Sequence, residues 1–338
     1  MAGLLRLLKA QFNPPTDPTT SFAGKTVVLT GATAGLGYQA ALKFLNLGVE
    51  CLIIGSRDLE RGEATKAELE QRTHRHHVIQ VFELDMNTFQ SVHDFVTRIN
   101  NYVKRVDIVL LNAGLWNRVY TVSPEGWEES LQVNTLSTCL LAILLLPKLR
   151  SCSTPENPTH MTIVSSQQFV RVQAQAIQTE SSMLRLLNDA GQFTGPKQYG
   201  ASKLLLEFVI KTMAARLLNE DGTVPVIVNT VSPGLCASSL GRQYTKLHHR
   251  FVIWFLNKLF ARTAEQGSRS LVSATYQGFE SHGRCWRSDG YLDESTSLTT
   301  GVEGKKFQAK AWKEVLDVLN ARSECLDSVV RDSVVRNA

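Results

Sequence analysis

The sequence predicts an α/β protein built on a doubly wound parallel sheet with helices on both faces. From Lys25 onward, short apolar runs alternate with helical patterns, which is typical of strands joined by helical crossovers. The runs are nearly continuous in apolar residues, as expected for strands that are buried on both faces. A glycine-rich turn follows the first run directly. In this Rossmann-type arrangement, ligands bind at the carboxyl ends of the strands.

The alternation places the strands and helices in order along the chain. Strands are predicted at residues 26–30, 51–55, 77–82, 106–111, 160–165 and 224–231. Helices are predicted at residues 35–47, 59–72 and 89–102, at 125–149 as one or two helices, from near residue 198 onward, and at 303–319.

Composition excludes several classes of protein. With 338 residues, of which 43% are hydrophobic, the chain can bury a full core. The formal net charge of +5 is small and the basic residues are scattered, so no nucleic-acid surface is predicted. The six cysteines lack short paired spacings, which favours reduced thiols over a disulfide framework. His74, His76 and His77 flank Arg75, whose charge would repel a cation, so no metal site is predicted.

No segment is predicted to span a membrane. The longest apolar runs, residues 140–146 and 251–260, are well short of the roughly 20 residues that a spanning helix needs. Residues 1–12 could form an amphipathic helix that touches a membrane or a partner, although a docked or frayed terminus is the simpler interpretation. We therefore expect a cytoplasmic protein, with peripheral membrane contact left open.

A phosphate-binding turn is predicted where the first strand meets the first helix. Gly31 permits a tight turn, Gly35 lets the backbone approach a pyrophosphate, and Gly37 lets the helix pack closely. Leu36 lies in the first turn of the helix, where backbone N–H groups would face the anion. The position of this turn, directly after a buried strand, predicts that the chain binds a dinucleotide.

The end of the second strand favours NADP(H) over NAD. A carboxylate there would bind the ribose 2′-hydroxyl of NAD, whereas an arginine accommodates the 2′-phosphate of NADP. This chain has Arg57 at the position and no acidic residue on the strand end. Asp58 is better interpreted as the N-cap of the following helix.

Polar residues follow two further strands, and one lies within an apolar helix. Asp85 could accept a hydrogen bond from an adenine amino group or cap the next helix. Asn112, Ala113 and Gly114 form a small-residue turn where a ribose could lie. Asn134 lies in a helix rich in leucine, and its amide needs partners, so a structural role and a site role are both open.

A second cluster indicates proton transfer. Tyr199 and Lys203 are one helical turn apart, and the Lys203 charge should lower the pKa of the phenol from about 10. A phenol tuned in this way can donate a proton to a carbonyl oxygen or accept one from an alcohol. Ser165 and Ser166 close the fifth strand, so both should face the same crevice as Tyr199.

Taken together, these motifs resemble those of the short-chain dehydrogenase/reductase family over about residues 22–320. The residues that carry the resemblance occur in the family's order: Gly31, Gly35 and Gly37, then Asn112, Ala113 and Gly114, Asn134, Ser166, Tyr199 and Lys203, and finally Ser232, Pro233 and Gly234. The resemblance is closest to retinol-dehydrogenase-like members, many of them from fungi and often serving secondary-metabolite pathways.

The resemblance implies a role for each catalytic position. Tyr199 would be the general acid/base, and Lys203 would lower its pKa and bind the nicotinamide ribose. Ser166, with Ser165 as the alternative, would orient the substrate carbonyl. Asn134 would hold a water molecule in a proton relay to the lysine. The implied reaction is hydride transfer between the nicotinamide and a carbonyl or alcohol carbon.

The same resemblance places Pro233 and Gly234 beside the nicotinamide and Ser238 at its carboxamide. Ala34 replaces the basic residue that many NADP-preferring members carry before the second glycine, so the NADP prediction depends on Arg57 and the missing acid. In the family, the helix after Lys203 often forms a dimer face, so a homodimer is possible.

The predicted organisation is a single catalytic domain at residues 22–322, between an N-terminal extension at 1–21 and a tail at 323–338. Insertions near 167–197 and 235–262 are expected to line the substrate pocket. We expect an NADPH-dependent ketoreductase or alcohol dehydrogenase for a largely apolar small molecule. The alternatives are a retinol- or steroid-type alcohol dehydrogenase and a non-catalytic, cofactor-binding regulator with the same fold.

Overall fold

Eight strands form one sheet in the part of the chain that the computed structural model describes, residues 11–178, 181–237, 261–322 and 326–331. The strands are β1 Thr26–Thr30, β2 Cys51–Ser56, β3 Ile79–Glu83, β4 Ile108–Leu111, β5 Thr159–Val164, β6 Val226–Val231, β7 Cys285–Arg287 and β8 Gly290–Tyr291. Their order is β3-β2-β1-β4-β5-β6-β7-β8, with β8 antiparallel to β7 and all other neighbours parallel. The predicted doubly wound parallel sheet is confirmed, and the strand order reverses between β1 and β4.

Helices cover both faces of this sheet. They are α1 Gly35–Asn46, α2 Leu59–Thr73, α3 Phe89–Tyr102, α4 Glu129–Cys152, α5 Met183–Leu187, α6 Gly195–Leu217, α7 Ala264–Ala274, α8 Gly301–Asn320 and α9 Leu326–Arg331. In β1, Val28 packs in the core formed with α3, α4, α6 and α8, whereas Val27 and Leu29 pack in the core formed with α1 and α7. The two-residue period of a strand therefore supplies both cores.

Several elements were not predicted, namely β7, β8, α5, α7 and α9. The strands are only three and two residues long, too short for a periodic pattern. Helix α7 buries small and polar residues, including Gly267, Ser268 and Ser270, beside the apolar Leu271 and Val272. A Cβ atom at Gly267 would meet the side chains of Leu36 and Cys236. Small residues are required there because α7 packs closely against the start of α1.

Helix α4 is the one described helix that is long and apolar enough to cross a membrane by composition. In the fold, 89% of its most apolar window is buried inside the protein. The apolar residues of α4 thus belong to the core between the sheet and helices α3 and α6.

The leucine-rich face of α6 is also buried within the chain itself. Leu204, Leu205 and Phe208 have no exposed surface, and the Phe208 ring stacks on that of Phe307 in α8 with centroids 6.0 Å apart. Packing against α8 accounts for these residues. They therefore give no support for a dimer face, and a homodimer stays a prediction.

Candidate active site

The glycine-rich turn between β1 and α1 leaves no room for a side chain at Gly31 or Gly37. Gly31 has φ +68°, and a Cβ atom there would lie 2.9 Å from the Asn112 side-chain nitrogen. A Cβ atom at Gly37 would collide with the Gly31 carbonyl oxygen. The N-cap of α1 is Ala34, whose side chain cannot accept a hydrogen bond from the first turn. The turn thus fits a dinucleotide, because its backbone and the free N–H groups near Leu36 can approach a pyrophosphate.

Two side chains join this turn to the end of β4. The Thr30 hydroxyl accepts hydrogen bonds from the N–H groups of Asn112 at 3.0 Å and Ala113 at 2.9 Å. The Asn112 amide nitrogen donates to the carbonyl oxygens of Thr30 and Gly31, both at 3.0 Å. The predicted ribose turn is therefore held rigidly against the phosphate turn. Thr30 lies in the glycine-rich motif, but the sequence did not predict the role of its hydroxyl group.

Two arginines follow β2, and one of them contacts the glycine-rich turn. Arg57 follows β2 directly and is exposed. Asp58 caps α2 by accepting from the N–H of Arg61 at 3.0 Å, as predicted. The Arg61 guanidinium group donates to the Thr33 carbonyl oxygen at 3.4 Å. Sequence reasoning did not single out Arg61, although its position one turn after Arg57 was visible.

Asp85 follows β3 in a turn that its own carboxylate stabilises. Its Oδ1 atom accepts from the N–H of Asn87 at 3.0 Å, and its backbone N–H donates to Ser91 at 2.8 Å. The N-cap of α3 is Thr88. The alternative that Asp85 caps this helix is wrong, because the chain makes a further turn before α3 begins. Contact of Asp85 with adenine stays a prediction.

Asn134 lies in a π-helical segment of α4, Gln132–Ser137, and is completely buried. Its Oδ1 atom accepts from the N–H of Leu115 at 2.9 Å. Its Nδ2 atom donates to the Leu115 carbonyl oxygen at 2.8 Å and to the Ser202 hydroxyl at 3.1 Å. The side chain therefore has a satisfied structural role, which holds the turn at residues 112–114 beside α6. A π segment often marks a functional site, but its presence was not predicted.

Ser166, Tyr199 and Lys203 meet at the carboxyl end of β5. Ser166 follows the strand, and its hydroxyl group faces the Tyr199 phenol. The Lys203 ammonium group is buried and donates to the Val164 carbonyl oxygen at 2.8 Å. A Cβ atom at Gly114 would lie 3.7 Å from Lys203 Nζ, so the turn after β4 borders the same site.

The two serines at the end of β5 face opposite directions, because successive strand residues alternate. Ser166 faces Tyr199, whereas the buried Ser165 hydroxyl faces Glu207 of α6. The geometry thus places Ser166, and not Ser165, beside the phenol.

Burial shifts the acidities of the two titratable groups in opposite directions. It raises the pKa of Tyr199, and the hydrogen bond from Ser166 opposes this rise. It lowers the pKa of Lys203 to about 8, and the charge of Glu207 opposes this fall. The expectation that Lys203 lowers the pKa of Tyr199 is wrong for this structure. The reason is that the phenol is desolvated while the ammonium group is directed at the Val164 carbonyl.

Comparison with known proteins decides the family. The "short chain dehydrogenase" family model matches residues 25–175. The short-chain dehydrogenase/reductase ffsI of Aspergillus flavipes is 41% identical over 326 residues, which covers 96% of this chain and 94% of the relative. This chain belongs to the short-chain dehydrogenase/reductase family.

Further relatives agree with the assignment. The short-chain dehydrogenase/reductase phmF of Phaeosphaeria nodorum is 41% identical over 320 residues, covering 94% of this chain and 93% of the relative. Among solved structures, the Pseudomonas aeruginosa RhlG/NADP active-site complex has a TM-score of 0.60 at 21% identity. The match covers 81% of this chain and 98% of that one, and it shows the shared fold.

In this dehydrogenase/reductase, the long segment at residues 167–197 is anchored beside the site and leaves the sheet intact. It forms 3₁₀ turns at Gln167–Arg171, Ala174–Ala176 and Ala190–Gln192 together with helix α5. Asn188 Oδ1 accepts from the N–H of Glu128 at 2.6 Å. Gln198 donates to Glu128 at 2.8 Å and to the Leu187 carbonyl oxygen at 3.0 Å. The segment is thus fixed to the starts of α4 and α6.

Trp116 is a site residue that sequence reasoning missed. Its indole ring lies beside the Tyr199 ring with centroids 5.7 Å apart. Its Nε1 atom is buried and has no hydrogen-bond partner among the described residues. The signal was an aromatic residue two positions after Gly114, and Trp116 forms an apolar wall next to the phenol.

The last predicted cofactor contacts follow β6. Pro233 is buried, and its carbonyl oxygen accepts from the Cys236 thiol at 3.4 Å. Gly234 has φ +81°, a left-handed conformation that favours glycine. Ser238, most of the predicted pocket segment 235–262 and the apolar run 251–260 lie outside the described residues. In the part of the chain that is described, no cluster of three or more His, Cys, Asp or Glu residues could hold a metal ion.

Proposed function

We propose that the protein is an NADPH-dependent oxidoreductase acting on a carbonyl or alcohol group of a largely apolar small molecule. The observation that carries the proposal is the meeting of Ser166, Tyr199 and Lys203 beside the glycine-rich turn. When bound, the cofactor would supply hydride at its nicotinamide ring. The chain's own residues would bind the substrate oxygen and move the proton.

In the proposed reduction, Ser166 donates a hydrogen bond that orients the substrate carbonyl, and Tyr199 donates the proton to its oxygen. Burial keeps the phenol protonated at neutral pH, which supports a role as acid in carbonyl reduction. Lys203 would contribute positive charge beneath the cofactor ribose. The Trp116 ring beside the phenol supports a substrate with an apolar, flat region near its reacting carbon.

Preference for NADPH is supported by charge at the end of β2. The Arg61 guanidinium group contacts the turn, the exposed Arg57 follows β2 directly, and β2 ends without a carboxylate. Guanidinium groups form strong, charge-assisted hydrogen bonds with phosphate. Similarity to fungal relatives over nearly the whole chain further suggests a reductive step in secondary-metabolite biosynthesis.

Tyr199→Phe tests the proposal directly. The ring stays in place but loses its proton, so kcat is expected to fall by about a hundredfold or more. The dissociation constant for NADPH, measured by fluorescence, should change less than about threefold because binding energy resides elsewhere. Tyr102→Phe, on an exposed residue of α3, is the matched control. Comparable turnover in Tyr199→Phe would refute the mechanism, and NADPH binding without turnover on any carbonyl would favour the regulator.

A further inference from the structure

Helix α6 carries ionisable side chains at intervals of one turn, namely Tyr199, Lys203, Glu207 and Lys211. Residues four apart share a helix face, so these groups form a stripe that begins at the candidate site. Lys211 ends the stripe in an ion pair with Glu294, with Nζ 3.0 Å from Oε2. The proposed chemistry uses Tyr199 and Lys203 but assigns nothing to Glu207.

The Glu207 carboxyl group is completely buried. Among the described residues, neither of its oxygens has a hydrogen bond of good geometry. The hydroxyl groups of Ser165 and Thr230 face it, and they too lack well-formed hydrogen bonds. A buried carboxyl with such weak hydrogen bonding costs free energy, so packing alone gives no reason for an acid here.

Charged groups surround Glu207 along its own helix and across the sheet edge. Lys203 and Lys211 lie one turn before and one turn after it. The Cys285 thiol of β7 and the Glu294 carboxylate also interact electrostatically with Glu207. Glu207 thus has a cation on each side along the helix, and it shares Lys211 with Glu294.

The charges along the stripe oppose the effects of burial. Burial lowers the pKa of Lys203, and Glu207 is the largest influence that raises it, with the Cys139 thiol of α4 adding less. Burial raises the pKa of Glu207, and Lys211 is the largest influence that lowers it. The net effect still raises the pKa of Glu207, so Lys211 offsets the effect of burial only in part. Among the described residues, no ion pair or hydrogen bond joins Glu207 to Lys203, whose ammonium group donates to the Val164 carbonyl oxygen. The Glu207 charge therefore acts on Lys203 across one helical turn.

We propose that Glu207 is the buried counterion of Lys203, a positioning residue that favours the charged ammonium group beneath the Tyr199 site from one helical turn away. Glu207 acts through Lys203 and lies behind β5, on the side of Ser165. Its link to turnover rests on the proposed function. The charge of Lys203 can nevertheless be measured without turnover.

Glu207→Gln keeps the shape of the side chain and removes its charge. The pKa of Lys203 is expected to fall by about one pH unit or more, because a nearby buried charge is lost. NMR titration of 13Cε-labelled lysines, assigned with Lys203→Arg, measures this pKa. Since Lys203 loses its charge as pH rises, the alkaline limb of kcat/KM should move to lower pH by the same amount.

Lys211→Met is expected to lower the pKa of Lys203 and to move the alkaline limb of kcat/KM to lower pH, because Glu207 loses the cation that favours its ionised form. In the double variant, the two shifts should be less than additive. Glu207→Asp should restore most of the wild-type pKa. Glu303→Gln, on the exposed face of α8, is the control and should leave it unchanged.

An unchanged Lys203 pKa in Glu207→Gln overturns the assignment, whatever happens to turnover. A shifted pKa in a protein that reduces no carbonyl supports the counterion and counts against the proposed function alone. Should Glu207→Gln fail to fold, Lys211→Met is judged by the same criterion.

Discussion

The carboxamide of Asn134 binds the backbone of Leu115 with both of its functional groups, at 2.9 and 2.8 Å. Because Gly114 precedes Leu115 and borders Lys203, this pair sets the position of the turn after β4 relative to α6. The sequence left open whether Asn134 has a structural role or a site role. In the structure, Asn134 aligns the turn after β4 with Tyr199 and Lys203 of α6.

Replacing Asn134 by Leu should loosen this alignment. The backbone N–H and C=O groups of Leu115 would lose their partners, so the free energy of unfolding is expected to fall by about 2 kcal/mol or more. The dissociation constant for NADPH should rise as the turn moves. Urea unfolding and fluorescence titration measure the two effects. Asn101→Ala, on an exposed residue of α3, should stay within about 0.5 kcal/mol of wild type. Equal behaviour of the two variants would contradict this view of Asn134.

Gly37→Ala is expected to abolish tight NADPH binding, because the added Cβ atom would collide with the Gly31 carbonyl oxygen. The turn must then open and lose its close approach to a pyrophosphate. Fluorescence titration with NADPH is the measurement. Gly290→Ala makes the same chemical change where nothing lies within 4 Å of the new atom, and it should bind NADPH normally. Normal NADPH affinity in Gly37→Ala would show that the turn does not hold the cofactor.

If, as proposed, Arg57 and Arg61 each form a charge-assisted hydrogen bond with the 2′-phosphate, Arg57→Ala and Arg61→Ala should each weaken NADPH binding by about tenfold. Binding of NADH, which lacks this phosphate, should change little. The ratio of kcat/KM for the two cofactors reports the effect. Arg72→Ala, at the far end of α2, is the control for loss of a positive charge. A constant ratio in Arg57→Ala would remove the basis for the NADPH preference.

The stability of the fold should fall between pH 6.5 and pH 4 because of His160. Burial, assisted by the Lys25 charge, lowers the pKa of this imidazole from 6.5 to about 4. In that interval the unfolded chain binds a proton that the folded chain does not, so the free energy of unfolding decreases by up to about 3 kcal/mol.

Urea unfolding at pH 7 and pH 5 tests this dependence. In His160→Gln the difference in stability between the two pH values should shrink, whereas in His76→Gln, on an exposed loop, it should match wild type. An equal difference in all three proteins would show that His160 does not carry the acid sensitivity.

Much of the fold was predictable because local pattern and tertiary structure agree. The strand Thr26–Thr30 and the helix Phe89–Tyr102 lie at the predicted residues. The apolar run of the first favours a buried strand, and the amphipathic period of the second favours a helix with one buried face. Strands β7 and β8 were not predictable, because each is too short to show a periodic pattern. They become strands only because β7 pairs with β6 and β8 pairs with β7. Helix α7 was not predictable either, because the need for a small residue at Gly267 follows from its close contact with Leu36 of α1.

The sequence by itself determined that a glycine turn, a strand-end serine and a Tyr-x-x-x-Lys pair lie at one end of a parallel sheet, because parallel strands bring their carboxyl ends together. Only the tertiary structure decided how these groups are tuned. It turned Ser166 toward Tyr199 and Ser165 toward Glu207, and it raised the pKa of the phenol where the spacing alone predicted a fall. The physical reason is that acidity depends on desolvation and on charges from several elements, which a one-turn spacing on a single helix does not reveal.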